Sequence, residues 1–259
     1  PILIKFRFRQ IKILNEIPTF PYGQEYLKNK QILSVIVYLI DFLSRSFLYL
    51  CVDRIISIRY PSKIFNILTI SIGNGIEEEQ FVLSKPIQDL FYNNPSEIRI
   101  IGVANLSFCH GYDRIIKGIY EYNQKKNINY KLYFHVVSPE NREVIKLKTL
   151  SQNLELQDYI IFHGLLEGEK LDDLFDKIHI AVGVLAAHRK NLNQASALKL
   201  REYALRGKLF MNSVLDIDFL DFPYCYKPQC HNDDPINMNE VIGFIEEKSK
   251  IKNLNKLIR

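Results

Sequence analysis

The residues best suited to chemistry in this sequence fall in one stretch, QASALKLREYALRGKLF, at residues 194–210. Ser196 precedes an apolar recurrence at Leu198, Leu200, Tyr203, Ala204 and Leu205 whose spacing predicts a helix. Lys199, Arg201, Glu202 and Arg206 fall on or beside its opposite face. Gly207 suits a left-handed C-cap, and residues 208–211 return as a strand. A helix capped by Ser196 points free backbone N–H groups and the positive end of its dipole forward, with Lys199 beside them, which is a site for an anion. Glu202, about one and a half turns further in, is placed to accept hydrogen bonds from a diol next to that anion. A diphosphate carrying a ribose offers this pair of groups. The plainer reading of Arg201, Glu202 and Arg206 is a solvated helix face with weak ion pairs.

The elements that must hold this stretch alternate regularly. Apolar strands are expected over 98–104, 131–137, 159–162, 178–182 and 209–211, and helices over 112–124, 141–153 and 168–177. Strands apolar throughout that alternate with helices imply a parallel sheet covered on both faces, so the fold class is α/β and the domain Rossmann-like. Ligands of such sheets bind at the loops after the strands. Those loops carry Asn105, His110, His163, Gly164, His188, Arg189, Lys190 and Gln194, with Lys199 just beyond. The histidines lack regular ligand spacing, so no metal is expected.

Upstream, a buried strand is expected over 11–17, a turn over 18–23, a helical segment over 24–52 and short strands over 54–59 and 68–72. The most apolar run, 32–52, contains Asp41, Arg45 and Ser46, which favours a helix buried in the fold or lying on a membrane surface over a span. Residues 76–96 are polar and punctuated by Pro86 and Pro95, like a domain junction. Three segments follow: 1–95, 96–235 and a C-terminal helix within 236–259.

With 259 residues, 47% hydrophobic and 24% charged, the chain has the composition of a folded globular protein. A net charge of +5 suits phosphorylated ligands or an anionic membrane surface and is too modest and dispersed for nucleic acid. The four cysteines are scattered, Cys225 and Cys230 with His231 excepted, so zinc is not expected and a reducing cytoplasm is. No signal peptide is evident. The opening at Pro1, within a strand-like alternation, reads as the middle of a longer chain.

Four ordered blocks, ANLSFCHGYDRIIKG, HGLLEGEKLDDLFD, HRK and SALKLREYALRGK, resemble the retaining glycosyltransferases of family 4, two-domain enzymes of the GT-B type. They are similar in particular to a bacterial subgroup active in surface polysaccharide synthesis. The resemblance implies a complete C-terminal Rossmann-like donor domain and the remaining part of an N-terminal acceptor-side domain. It implies transfer of a sugar, with retention, from a UDP- or GDP-linked donor to a glycan or lipid-linked acceptor, without metal or cofactor; the location expected is the cytoplasm, with peripheral contact at the inner face of the membrane as one form of it. By this resemblance Glu202 contacts the donor ribose, and Gln194 stands where the family has a second Glu. Asn105 and His110 stand where it has an Arg and a Lys that neutralise the departing diphosphate. Arg189, Lys199 and His110 are then the catalytic candidates, and Glu202, Gln194, Ser196, Asn105, His163 and Gly164 the donor contacts. Two other readings stand beside it. One is a nucleotide-sugar-binding module without activity, which Gln194 and Asn105 favour. The other is a dehydrogenase, against which stands the lack of any G-x-G-x-x-G after a strand.

Overall fold

The computed structural model describes residues 2–8, 10–17, 20, 32–45, 47–58, 62–229 and 233–259. The chain divides into two compact units, Pro1–Asn74 and Gly75–Arg259. Most of the turn expected over 18–23, the start of the helical segment expected from 24, and Cys230 with His231 lie outside the described residues.

In the first unit, strands β1 (Leu14–Glu16), β2 (Arg54–Ser57), β3 (Lys63–Ile64) and β4 (Ile67–Ser71) form a sheet in the order β1-β2-β4-β3. The β1-β2 and β2-β4 pairs are parallel, and β3 returns antiparallel to β4 through Phe65 and Asn66, both at positive φ as a tight hairpin of this hand requires. Ile17, Cys51, Val52, Ile55, Ile64 and Ile67 form its core. Asp53 pins the start of β2. It is paired with Lys5 and accepts from the Ile13 amide at 2.9 Å, and these bonds, the Lys5 one foremost, hold its carboxyl down at about 2. The strand expected over 11–17 is only three residues long, and Leu14 in it is 52% exposed. The helical segment appears as the helix Ile32–Arg45, and none of its residues is buried. Burial of that helix is therefore corrected: the six-residue core closes without it, leaving Ile32, Leu33, Leu39, Ile40 and Leu43 each more than half exposed.

The second unit is built on six parallel strands, β5 (Glu97–Val103), β6 (Lys131–Val137), β7 (Ile160–Gly164), β8 (Ile180–Val182), β9 (Leu209–Met211) and β10 (Cys225–Tyr226), in the order β10-β9-β8-β5-β6-β7. From β5 the chain winds outward through β6 and β7, then returns to β8 on the other side of β5 and winds outward again. The reversal lies between β5 and β8, the switch point at which sheets of this kind bind ligands.

Period-two burial divides the strands between two layers. Ile98, Ile100, Phe134, Val136, Ile180 and Val182 pack with Ile115 and Ile119 of the helix Tyr112–Asn123 and with Val241 and Ile245 of the helix Met238–Ser249. Ile101, Val137, Ala181 and Phe210 pack against Leu171 and Phe175 of the helix Glu169–Phe175 and Leu200 and Tyr203 of the helix Leu198–Leu205. Each such Ile or Phe contributes about 1.5–3 kcal/mol relative to an exposed position. Gly118 lets the first helix come close enough to meet the Ile236 carbonyl, where any side chain would collide.

The C-terminal helix expected within 236–259 is two helices, Met238–Ser249 and Leu254–Ile258, separated at Asn253, which takes a left-handed φ of 54°. Residues from 75 onward pack with this unit. Ser84 N donates to Arg206 O at 3.0 Å, and Asn255 Nδ2 donates to Ser84 O at 2.9 Å.

Candidate functional site

After β5 the chain makes one helical turn, Phe108–His110, before Gly111 reverses it, at φ 70°, into the helix Tyr112–Asn123. A side chain at Gly111 would strike Ala186 as well as strain the backbone. The turn is closed by Ser107, whose amide donates to His110 Nδ1 at 2.9 Å. The loop after β8 is hydrogen-bonded to this turn. Leu185 N donates to His110 O at 3.0 Å and Ala186 N to Cys109 O at 3.1 Å. Arg114, 2% exposed, fixes the same loop by donating to Leu185 O and, at 2.7 Å, to Asp234 O. Both walls of the switch point are thus held by backbone bonds and by Arg114.

The cations on these walls are not equivalent. Arg189 donates from Nη1 and Nη2 to the two oxygens of Asp113 at 2.8 and 2.9 Å, from Nη1 to Phe108 O at 2.9 Å, and from Nε to Asp233 at 2.8 Å. Its positive charge is matched by two carboxylates, and the hydrogen bond to Asp113 is the main cause of its upward pKa shift. Lys190 Nζ lies 5.6 Å from the centre of the Phe108 ring. Lys199 Nζ lies 5.8 Å from the centre of the Tyr112 ring, is buried, and has no hydrogen-bond acceptor among the described residues. Burial of this ammonium pulls its pKa down to about 7, against the opposing pull of Cys109 and Glu202. His110 is pushed to about 3, by burial first and by Lys199 second. It is neutral at pH 7, with Nδ1 2.9 Å from the Ser107 amide nitrogen and 3.1 Å from the Ser107 carbonyl oxygen.

Ser196 does not occupy the cap position expected of it. The first helical bond, Leu200 N to Ala197 O at 3.0 Å, closes on Ala197, which becomes the N-cap and has no side chain to offer. The plainer reading of Arg201 and Arg206 as a solvated face does not hold. They are 9% and 4% exposed, Arg201 paired with Asp216 and Asp218 and Arg206 with Glu202 and Asp172. Arg206 also lies 4.4 Å from the centre of the Phe175 ring, so packing against the helix Glu169–Phe175 draws it inward. Glu202 Oε1 accepts from Arg206 Nε at 2.9 Å, so part of its hydrogen-bonding capacity is already used.

Gln194 is drawn into a parallel bridge with Leu215. Asn105, exposed after β5, accepts from Asn141 Nδ2 at 3.2 Å. Gly164 takes a φ of 72° at the end of β7 and accepts from Ser138 N at 3.0 Å, and Ser138 Oγ accepts from Leu106 N at 3.3 Å. These bonds join the loops after β5, β6 and β7. His163 stacks on His135, with Nε2 to Nδ1 at 2.9 Å. Beyond β9, Asn212 accepts from Val184 N at 2.9 Å beside a cavity of about 270 Å³ lined by Val214, Asp216 and Lys227. His110, Arg189, Lys190 and Lys199 therefore surround one helical turn. Asn105, His163 and Gly164 belong to the neighbouring loops, and Glu202 to the helix behind Lys199. No cluster of three or more His, Cys, Asp or Glu residues able to hold a metal occurs among the described residues.

Sequence reading missed Tyr112, Cys109, Asp113 and Asp233. Asp113 and Arg189 are 76 residues apart, with no local pattern to join them. Asn141 was legible, as an Asn directly before a helix, and it does accept from the amides of Glu143 and Val144.

No protein-family model matches the sequence, and no curated protein matches it. Solved structures do resemble the chain. A glycosyltransferase from Rickettsia africae aligns over 99% of this chain and 72% of its own length at 13% identity, with a TM-score of 0.58. The Anabaena HepE protein in complex with UDP and glucose aligns over 99% and 69% at 12% identity, with a TM-score of 0.62. Sucrose-phosphate synthase from Thermosynechococcus elongatus aligns over 98% and 64% at 15% identity, with a TM-score of 0.58. The chain has the Rossmann-like GT-B fold and spans roughly two thirds of each of these proteins.

Proposed function

We propose that this chain is a glycosyltransferase of the family 4 kind that binds a UDP- or GDP-linked sugar at the switch point between β5 and β8 and transfers the sugar, with retention, to a glycan or lipid-linked acceptor in surface polysaccharide synthesis. The observation that carries this is the buried, acceptor-less ammonium of Lys199 beside the switch point of a GT-B sheet, where an anion would be drawn. The barrier lies in breaking the bond from the anomeric carbon to the diphosphate oxygen, so the task of the protein is to stabilise charge gathering on that oxygen. Lys199 and the His110 imidazole take this role, with Lys190 nearby. Arg189, committed to two carboxylates, holds the wall against which they work. Glu202, with Gln194 and Ser196, receives the ribose, and the backbone at His163 and Gly164, with Asn105, borders the nucleoside. The acceptor hydroxyl bonds to the anomeric carbon on the face that the diphosphate leaves, and its proton passes to the departing oxygen. Retention by this route needs no nucleophilic carboxylate and no metal.

Membrane contact on the cytoplasmic side belongs to the same proposal. Ten of the 34 Lys and Arg residues but only four of the 29 Asp and Glu residues fall in residues 1–74, beside the exposed apolar helix Ile32–Arg45. That combination suits an anionic lipid surface holding a lipid-linked acceptor.

Calorimetric titration with UDP, GDP and their sugar conjugates tests the donor site, and transfer or hydrolysis of the bound donor tests the activity. Saturable binding of one nucleotide, weakened by Glu202→Ala, is expected. Gln194 and Asn105, neutral where the family is charged, favour the second reading of a module that binds a donor without turning it over. Binding with no transfer and no hydrolysis would select it.

A further inference from the structure

Three buried or half-buried cations of the second unit, Arg189, Arg201 and Arg206, are matched by carboxylates. Lys199 is not. Its Nζ is buried, with the Tyr112 ring face 5.8 Å away and no acceptor among the described residues. An ammonium in such a place is costly, and the cost is removed in one of two ways: loss of the proton or arrival of an anion.

We propose that the donor diphosphate is the anion that this ammonium lacks, and that each donor molecule bound carries a proton from solvent onto Lys199. The proposal rests on the donor-binding reading given above. The groups that face Lys199 set its direction. From the turn after β5 come the Cys109 thiol and the neutral His110 imidazole, and from the following helix the Tyr112 ring. From its own helix comes Glu202, whose carboxylate is shared with Arg206, while the charge of Lys190, in the loop after β8, reaches His110. None of these supplies a full anion to Lys199, so near neutral pH the empty site holds a mixture of amine and ammonium. A diphosphate placed beside it favours the ammonium and draws the mixture to one side. Donor affinity then falls as pH rises through and above 7, because binding must also supply the proton.

The first measurement is the pH titration of the Lys199 side-chain carbon signal in the ¹³C-lysine-labelled protein, free and with saturating UDP-glucose. A midpoint near 7 in the free protein, displaced upward by at least about two pH units with UDP-glucose, is expected. The second is calorimetry of UDP-glucose in buffers of different ionisation enthalpy. Both phosphates of this ligand are esterified, so it lacks the ionisation near pH 6 of a terminal phosphate. Proton uptake should be small at pH 6, about half a proton at pH 7 and close to one at pH 8. Lys199→Arg should bind with no uptake and little pH dependence, and Lys199→Met should bind at least about tenfold more weakly with no uptake. A free-protein Lys199 that stays charged to pH 9 overturns the proposal. So does uptake that persists in both variants. UDP-glucose binding without uptake in the unmodified chain overturns this proposal alone and leaves the donor site standing. If no nucleotide or sugar conjugate binds at any pH, the donor-binding reading falls and this proposal with it.

Discussion

Arg189 holds Asp113 with both arms of its guanidinium, at 2.8 and 2.9 Å, and so ties the loop after β8 to the first turn of the helix after β5. The two-pronged geometry uses the planar fork of Arg, which Lys cannot reproduce. Side chains at this pair are 20% and 24% exposed, so solvent screens it only in part. Arg189→Lys and Asp113→Asn should each lower unfolding free energy by about 1–2 kcal/mol in urea titrations. The double variant should lose much less than the sum. Additive losses would mean that the two residues do not act as a unit.

Glu202 has two duties if the donor reading holds, one to ribose and one to Arg206. Arg206 is 4% exposed and keeps Asp172 when Glu202 is removed, so the fold should survive Glu202→Ala with a loss of about 1–2 kcal/mol. Affinity for UDP should fall at least about tenfold, the worth of one hydrogen bond to a charged group. Glu202→Gln separates the duties. Its amide oxygen can still accept from Arg206 Nε, so most of the stability should return while UDP binding stays weakened. Full recovery of UDP binding in Glu202→Gln would show that charge on this residue does not matter to the ligand.

Much of the second unit was legible in the sequence because its strands are apolar throughout and its helices keep one apolar face. Ile98, Ile100 and Ile101 announce β5, and Ile115, Ile116 and Ile119 announce the helix after the switch point. What escaped were contacts between distant segments. Arg201 and Arg206 look like a solvated face until Asp216, Asp218 and Asp172 arrive from elsewhere in the chain. Ser196 looks like a cap, but the backbone bond closes one residue later, on Ala197. In the first unit the helix Ile32–Arg45 was recognised, but burial in the fold, one of the two placements expected for it, does not occur, because hydropathy reports what a helix could bury and not whether a partner face exists.

Buried neutral histidines make the protein acid-sensitive. His110, His135 and His179 are each lowered to about 3, chiefly by burial, and His163 is lowered for the same reason. In the unfolded chain they titrate near about 6.5. Between pH 6.5 and 3 the unfolded state therefore binds more protons than the fold, and stability must fall as pH falls through that window. Above it these groups contribute nothing to the pH dependence. Each contributes a slope on the order of 1 kcal/mol per pH unit near pH 5. Urea titrations should lose stability as pH falls from 8 toward 6, where Lys199 and Lys208, each pulled down to about 7 by burial, take up their protons, and lose it again below pH 6 as the histidine share sets in. His179→Gln keeps an acceptor for the Arg99 amide that His179 Nδ1 now receives at 3.1 Å, and it should flatten the acid limb by about one histidine's share. An unchanged slope in that variant would remove His179 from the set.

Two glycines should respond to alanine with opposite sign. Gly207 ends the helix Leu198–Leu205 at a left-handed φ of 67°, donating to Ala204 O at 2.8 Å while Lys208 N donates to Tyr203 O at 2.9 Å, the pair of bonds of a Schellman cap. An alanine there must hold an unfavourable backbone conformation, and its methyl group would press on the Asn255 carbonyl and Leu83. Gly243 lies within the helix Met238–Ser249 with open space around the position of a side chain. Alanine suits a helix interior better than glycine by about 1 kcal/mol. Gly207→Ala should therefore cost about 1–3 kcal/mol and Gly243→Ala should add up to about 1 kcal/mol, both read from urea midpoints at constant m-value. Because the cap also fixes the turn into β9, Gly207→Ala should loosen the return into that strand, seen as faster amide exchange at Lys208, bonded to Tyr203 O, and at Phe210, bonded to Tyr224 O. A neutral Gly207→Ala would mean that the helix can end without the left-handed residue, and that the return to β9 is set by the strand pairing alone.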